Sequence, residues 1–342
     1  MNKLKYYSLD DFYKKTKVDA HLHINTNDAS FPEQANLDNF TLLSINTEVP
    51  GYPSIPEQQD FMQNQKKRFS GKVNYLTTFE TQTREQRDWH KRVIRYLEES
   101  LSSGAVGVKV WKNIGMDIQD ANGLFIKIDD VLFDPIFNYL EQNKITVCGH
   151  IGEPKNCWLP LEEMTVAGDK AYFRDHPEYH MYCHPDYPGY QELVHSRDRL
   201  LEKHPNLKFV GAHLGSLEWS VDEIAKRLDK YSNLAVDLAS RIDHLQYQSI
   251  TDWQKVHDFF IQYQDRIIYG TDLVVDDSNN LVEFRKEAHS TWLTDWKYFT
   301  SEEWMTTATA SSKFQALRLP SDVIDKIYYQ NAIHWYPSLN HT

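Results

Sequence analysis

A chain of 342 residues, 41% hydrophobic and 25% charged, is long enough for one large α/β domain and has the balance of an ordinary globular protein. Its net charge of −12, without any basic tract, argues against nucleic acid and acidic membranes as partners, and no run approaches the roughly 20 apolar residues of a membrane helix. Cys148, Cys157 and Cys183 make no disulfide framework and Met1 is followed by no apolar run, so the expected compartment is the cytoplasm.

In chain order, Val18 to Ile24 (VDAHLHI) reads as a short buried strand. Side chains alternate along a strand, which predicts Asp19, His21 and His23 on one face. A polar, Asn-rich loop is expected over 25–36. Further strands are predicted at 40–45, 73–79, 105–111, 144–150, 206–213, 233–238 and 266–272. Helices are predicted at 56–69, 84–103, 129–143, 190–204, 217–228, 252–264 and 321–335, the last with Ser321 as its cap. The clearest is 84–103, where Trp89, Val93, Leu97 and Leu101 recur every four residues. Two segments, 152–189 and 276–319, break the rhythm as long excursions.

Eight strands alternating with helices predict parallel pairing and a (β/α)8 barrel, a TIM barrel, with long insertions after strands 5 and 8. An open doubly wound sheet is the alternative. It calls for a glycine-rich phosphate loop after the first strand, where this chain has NTNDAS. No linker or low-complexity segment interrupts 1–342, so one domain is expected.

Four strands end in groups able to bind a metal or move protons: His21 and His23, His150, His213, and Asp272. A single strand-end histidine is most simply a hydrogen-bonded core residue. Five such groups on the carboxyl-terminal rim of one barrel point instead to a metal site.

These words resemble the amidohydrolase superfamily, in its amidohydrolase 2 branch of metal-dependent hydrolases and decarboxylases. The matching segments are VDAHLH, GVKVWKNIG, GHIGEP, HPNLKFVGAHLG, YSNLAVDLASR and DRIIYGTD, in the family's order over 17–275, with IYYQNAIHWY resembling its closing helix. The resemblance implies His21, His23 and His150 as metal ligands and Asp272 as ligand or proton acceptor. It implies His213 as ligand, acid or orienting group. The cofactor would be a divalent ion, zinc first and manganese second. One ion is expected, or two if Lys109 is carboxylated and bridges them.

Lysine inside a parallel strand is costly unless used, so Lys109 is a candidate bridge or substrate contact. Lys112 and Arg241 are further candidates for a substrate carboxylate, against plain readings as a solvated loop charge and a surface ion pair. Asp19 could orient the His21 ring or simply bond to backbone. Aromatic residues crowd both excursions and could wall a flat substrate or pack the loops down. Glu153 departs from the aspartate expected in close relatives, which leaves its role open.

Together these features predict a metal-dependent hydrolase that activates water to cleave a C–O or C–N bond of a small, carboxylated organic compound. The rival is non-oxidative decarboxylation on the same site. A ligand-binding barrel without catalysis comes third, and a homo-oligomer is compatible with all three.

Overall fold

Strand pairing closes on itself in the computed structural model, which describes residues 4–310 and 312–341. One parallel sheet has the order β3-β2-β1-β9 and the other β4-β5-β6-β7-β8. The strands are β1 (Lys17–Asn25), β2 (Phe40–Ile45), β3 (Val73–Leu76), β4 (Val108–Val110), β5 (Val147–Gly149), β6 (Phe209–Gly211), β7 (Leu234–Asp237), β8 (Ile267–Ile268) and β9 (Val274–Asp276). At one seam, Val106 N donates to Tyr75 O and Lys109 N to Thr77 O. At the other, Ala20 N donates to Tyr269 O at 3.0 Å, Asp272 N to His21 O at 2.7 Å and His23 N to Leu273 O at 2.8 Å. The eight predicted strands are thus the staves of a TIM barrel, and the eighth is broken into β8 against β7 and β9 against β1.

Two apolar layers follow from the alternation along the staves. Val18, Ala20, Leu43, Ile45, Cys148, Val210, Ala235 and Ile268 fill the barrel interior. Leu22, Ile24, Leu42, Val73 and Val108 face outward onto helices through residues such as Val93, Leu97, Ile136 and Ile224. Trp335 and Tyr336, at the end of the chain, plug the amino-terminal mouth of the barrel. Thr146, just ahead of β5, donates to Trp335 O, and Asn331 Nδ2 donates to Ile267 O at 2.7 Å.

β1 switches face midway. The β1–β2 register shifts between Asp19 and Leu22, so Val18 and Ala20 point inward, and so do His21 and His23. Asp19 therefore leaves the face predicted for it and points to the helical layer. There it accepts from Thr271 N (3.0 Å), Thr271 Oγ1 (2.7 Å) and Trp292 Nε1 (2.9 Å). An irregularity of this kind reverses side-chain parity, which no alternation rule anticipates.

Other departures have local causes. Part of the expected loop at 25–36 is the helix Ser30–Leu37, whose Phe31 and Ala35 are buried one turn apart. The excursion at 276–319 contains the 20-residue helix Leu281–Thr300, capped by the Asn280 side chain at Val282 N and Glu283 N. Its Trp292, Trp296, Tyr298 and Phe299 are fully buried, so they pack the segment down and wall no substrate. Trp304 alone of that aromatic set is exposed. The excursion at 152–189 is a series of short turns with one helix, Ala167–Asp175, over its own small core of Cys157, Met164, Phe173 and Met181. Ser321 is the first helical residue after Pro320 and caps nothing with its side chain. The closing segment passes through a π-turn at Lys326–Gln330 before Asn331–Trp335. Among the described residues, no helix is long and apolar enough to cross a membrane.

Trp335→Ala removes the largest part of the barrel plug and should destabilise the fold by about 3–5 kcal/mol. The check is the denaturant midpoint.

Candidate active site

At the carboxyl-terminal rim a cavity of about 120 Å³ is lined by His21, His23, His150, His213, Asp272 and Lys109, with Tyr52 and Trp111 among its walls. The structure brings together all five predicted rim groups, from β1, from the ends of β5 and β6, and from the break in the eighth stave. His21 Nε2 lies 3.4 Å and His23 Nε2 3.3 Å from the same oxygen of Asp272. The His213 ring centroid is 4.8 Å from that of His21 and 4.2 Å from that of His150.

The other ring nitrogens explain the orientation. His21 Nδ1 is 2.7 Å from Asp237 Oδ2, His23 Nδ1 is 2.7 Å from Ile45 O, and His213 Nδ1 is 2.9 Å from Ala239 O. Each partner only accepts, so each Nδ1 carries the proton and donates. His21 and His23 therefore turn unprotonated Nε2 lone pairs toward Asp272. Lone pairs facing a carboxylate oxygen at 3.3–3.4 Å, with no proton between them, call for a cation. His150 Nε2 is buried with no hydrogen-bond partner, a further orphaned donor to the same space. One ligand atom each from His21, His213 and Asp272 lie within 4.8 Å of one another. The donor set fits a divalent transition metal on both counts.

Electrostatics keep these groups in the form that can bind a cation. Burial lowers the pKa of His21, with the Lys109 charge adding to it. Burial likewise lowers His150 well below the usual imidazole value and His213 to about 3. Burial alone pushes the Asp272 carboxyl up. Positive charge on the neighbouring His213, His23 and His21 rings would outweigh it and hold Asp272 well below the usual carboxylate range. Neutral imidazoles and an ionised carboxylate are the states a metal requires.

Backbone strain accompanies the placement. His213, Leu214 and Ser216 are left-handed, with φ of 58°, 57° and 55°, and Asp272 has φ of 69°. Such conformations cost about 1–3 kcal/mol each outside glycine. Asp237 Oδ1 accepts from His213 N at 2.7 Å and holds the first of them. The Asp272 break needs glycine beside it: a Cβ on Gly270 would sit 2.8 Å from His21 Cβ.

Lys109 is buried, with Nζ 3.4 Å from His21 Nε2 and 3.8 Å from Cys148 Sγ. Among the described residues it makes no ion pair. Lys112 is ion-paired to Glu153, which is where the departure at Glu153 finds its use. Arg241 and Lys112 stand outside the small cavity, and Arg241 lines a larger one next to it. Asp237, the group that fixes His21, had no assigned role in the sequence. Its only signal there was its place at a strand end in AVDLAS. Tyr52 escaped notice entirely: it packs on His23 at 5.6 Å, and burial pushes its phenol up to about 12.

A parallel barrel whose strand ends converge as imidazoles and one carboxylate defines an amidohydrolase-type scaffold. The chain belongs to the amidohydrolase family, in its amidohydrolase 2 branch: the family's sequence model matches residues 86–338. Among solved structures, 2,6-dihydroxybenzoate decarboxylase from Rhizobium is similar at 14% identity and a TM-score of 0.55, over 94% of this chain and 99% of that one. The 4-oxalomesaconate hydratase from Rhodopseudomonas palustris is similar at 12% identity and a TM-score of 0.50, over 95% and 97%. At these identities the likeness is one of fold. No curated protein sequence matches the chain significantly.

Asp237→Asn tests the orientation argument. An amide nitrogen against His21 Nδ1 makes that atom an acceptor and moves the proton to Nε2, where it blocks ligation. Zinc affinity should fall about 10–100-fold, read by competition with a chromophoric chelator. Unchanged affinity would show that Asp237 does not govern the His21 tautomer.

Proposed function

We propose that the protein is a metal-dependent hydrolase that uses His21, His23, His150 and Asp272 as metal ligands. It would cleave a C–O or C–N bond of a small, carboxylated organic compound. The observation that carries this reading is the convergence of unprotonated imidazole nitrogens on a carboxylate oxygen. Family membership supports a reaction on a small molecule. A divalent ion bound there, zinc by preference for the imidazole-rich set, would polarise a carbonyl and lower the pKa of water. The confined volume favours one ion, with Lys109 as a cation beside it.

The chain's own groups have separable parts in such a reaction. Asp272, ionised and at the rim, accepts the proton of the attacking water and returns it to the leaving group. Ser240 Oγ donates to Asp272 Oδ2 at 3.0 Å and so aims its other oxygen, Oδ1, at the His21 and His23 rings. His213, kept neutral by burial, holds the opposite side of the cavity without adding charge. Lys109 places a positive charge where an oxyanion or substrate carboxylate would lie.

His150→Ala should lose metal and turnover together while its circular dichroism stays unchanged. Full metal content in that variant would remove His150 from the ligand set. For any substrate turned over, reaction in labelled water should place one solvent oxygen in the product. Release of CO2 with uptake of a solvent proton would instead establish decarboxylation and overturn the hydrolase reading.

A further inference from the structure

Three elements send hydrogen-bond donors to one buried carboxylate on the outer side of the barrel. Asp19 Oδ2 accepts from Thr271 Oγ1 at 2.7 Å and from Trp292 Nε1 at 2.9 Å. Its Oδ1 accepts from Thr271 N at 3.0 Å and from His21 N at 3.4 Å. The residue is completely buried. Burying a carboxylate is costly, and among side chains only an ionised carboxylate can serve four donors at once. Orienting the His21 ring is not its part, because that ring points into the barrel with its Nδ1 on Asp237 at 2.7 Å. Anchoring the helix Leu281–Thr300 would need the bond to Trp292 alone, yet two of the four donors belong to Thr271.

Thr271 immediately precedes Asp272 and is held at two atoms. A hydroxyl has one proton to give. Against Asp19, which only accepts, the Thr271 hydroxyl must donate, and its lone pairs are left for Leu273 N, 3.3 Å away. The Thr271 side chain therefore bridges over Asp272, from the residue before it to the residue after it. Asp272 N is tied in turn to His21 O at 2.7 Å. The residue so enclosed has φ of 69°, a conformation that persists outside glycine only where the surroundings fix it. Ser240 Oγ aims the far end of the Asp272 side chain by donating to Oδ2 at 3.0 Å. The bridge fixes the backbone from which that side chain starts.

We propose that Asp19 is a positioning residue for the metal site. Through the Thr271 hydroxyl it holds the left-handed backbone that presents the Asp272 carboxylate to the rim, although it lies on the opposite side of β1 and touches neither the cavity nor the cation. The proposal rests on the reading of Asp272 as a metal ligand. Outer groups that orient a ligand contribute about 10–100-fold to metal affinity.

Zinc affinity of the full chain, read by competition with a chromophoric chelator, tests it beside the visible absorption of the same proteins loaded with cobalt, which reports ligand geometry. Thr271→Val keeps the side chain's shape and removes the bridge. Its affinity should fall about tenfold, with an altered cobalt spectrum, and Asp19→Asn should lose as much. Thr271→Ser restores the hydroxyl and should return affinity to within about twofold of the wild type, with the wild-type spectrum. Trp292→Phe takes one donor from Asp19 and leaves the bridge. It should lower the denaturant midpoint and keep zinc affinity within about twofold. Wild-type affinity and spectrum in Thr271→Val overturn the proposal. So do losses of affinity that follow the denaturant midpoint through every variant, Trp292→Phe included, which make Asp19 a structural anchor only. Asp272→Ala separates the two readings. Affinity lost there and kept in Thr271→Val overturns the positioning claim alone. Affinity untouched by Asp272→Ala, or absent from the wild type, removes the ligand reading and the proposal with it.

Discussion

One buried carboxylate organises the rim. Asp237 reaches His21 through one oxygen and the backbone of His213 through the other, both at 2.7 Å, and also receives Ala239 N at 3.3 Å. Burial raises its pKa, but the His21 ring beside it, with His213 and Lys109, holds it below the ordinary carboxylate value. A carboxylate kept ionised in the interior must be hydrogen-bonded on both oxygens or it destabilises the fold. The same requirement fixes the tautomer of His21 and ties β1 to β7 across the barrel. Structure and chemistry are therefore linked at a single side chain: whatever loosens Asp237 turns His21 and frees the strained turn after β6.

That turn, the break in the eighth stave and the register shift in β1 are places where the barrel departs from regular strand geometry. Left-handed backbone at His213, Ser240 and Asp272 lies at the carboxyl-terminal rim, Asn39 and Lys144 are left-handed just ahead of β2 and β5, and the amino-terminal mouth is closed by apolar packing of Trp335 and Tyr336. The two ends do different work: the plugged mouth holds the molecule together, and the rim aims polar side chains inward. Asp19 belongs to this division. It faces the helices, bonds Thr271 one residue before Asp272, and fastens that segment to Trp292.

Much of this was legible in the chain. Apolar runs placed every stave, because a parallel barrel buries its strands on both faces and leaves a nearly continuous hydrophobic word. The runs exceeded the paired strands, since apolar character reports burial and not hydrogen bonding: 144–150 holds only three paired residues, Val147–Gly149. The rim histidines and Asp272 were readable because they end such words. The shift in β1 was not, since parity reversal leaves no mark on composition. Nor was Asp237, because its partner His21 is 216 residues away and only the closed barrel brings them together. The aromatic excursions stayed open between two readings for a similar reason: tryptophans and tyrosines look alike in sequence whether they line a pocket or hold down a helix.

The central claim is that distant strand ends grip one cation. Anomalous diffraction at the zinc edge, from crystals of zinc-loaded protein, addresses it without knowledge of any substrate. The account requires a peak inside the small rim cavity, about 2.0–2.2 Å from imidazole nitrogens of His21, His23 and His150 and from an oxygen of Asp272. An empty rim cavity, or zinc bound elsewhere on the molecule, would contradict it.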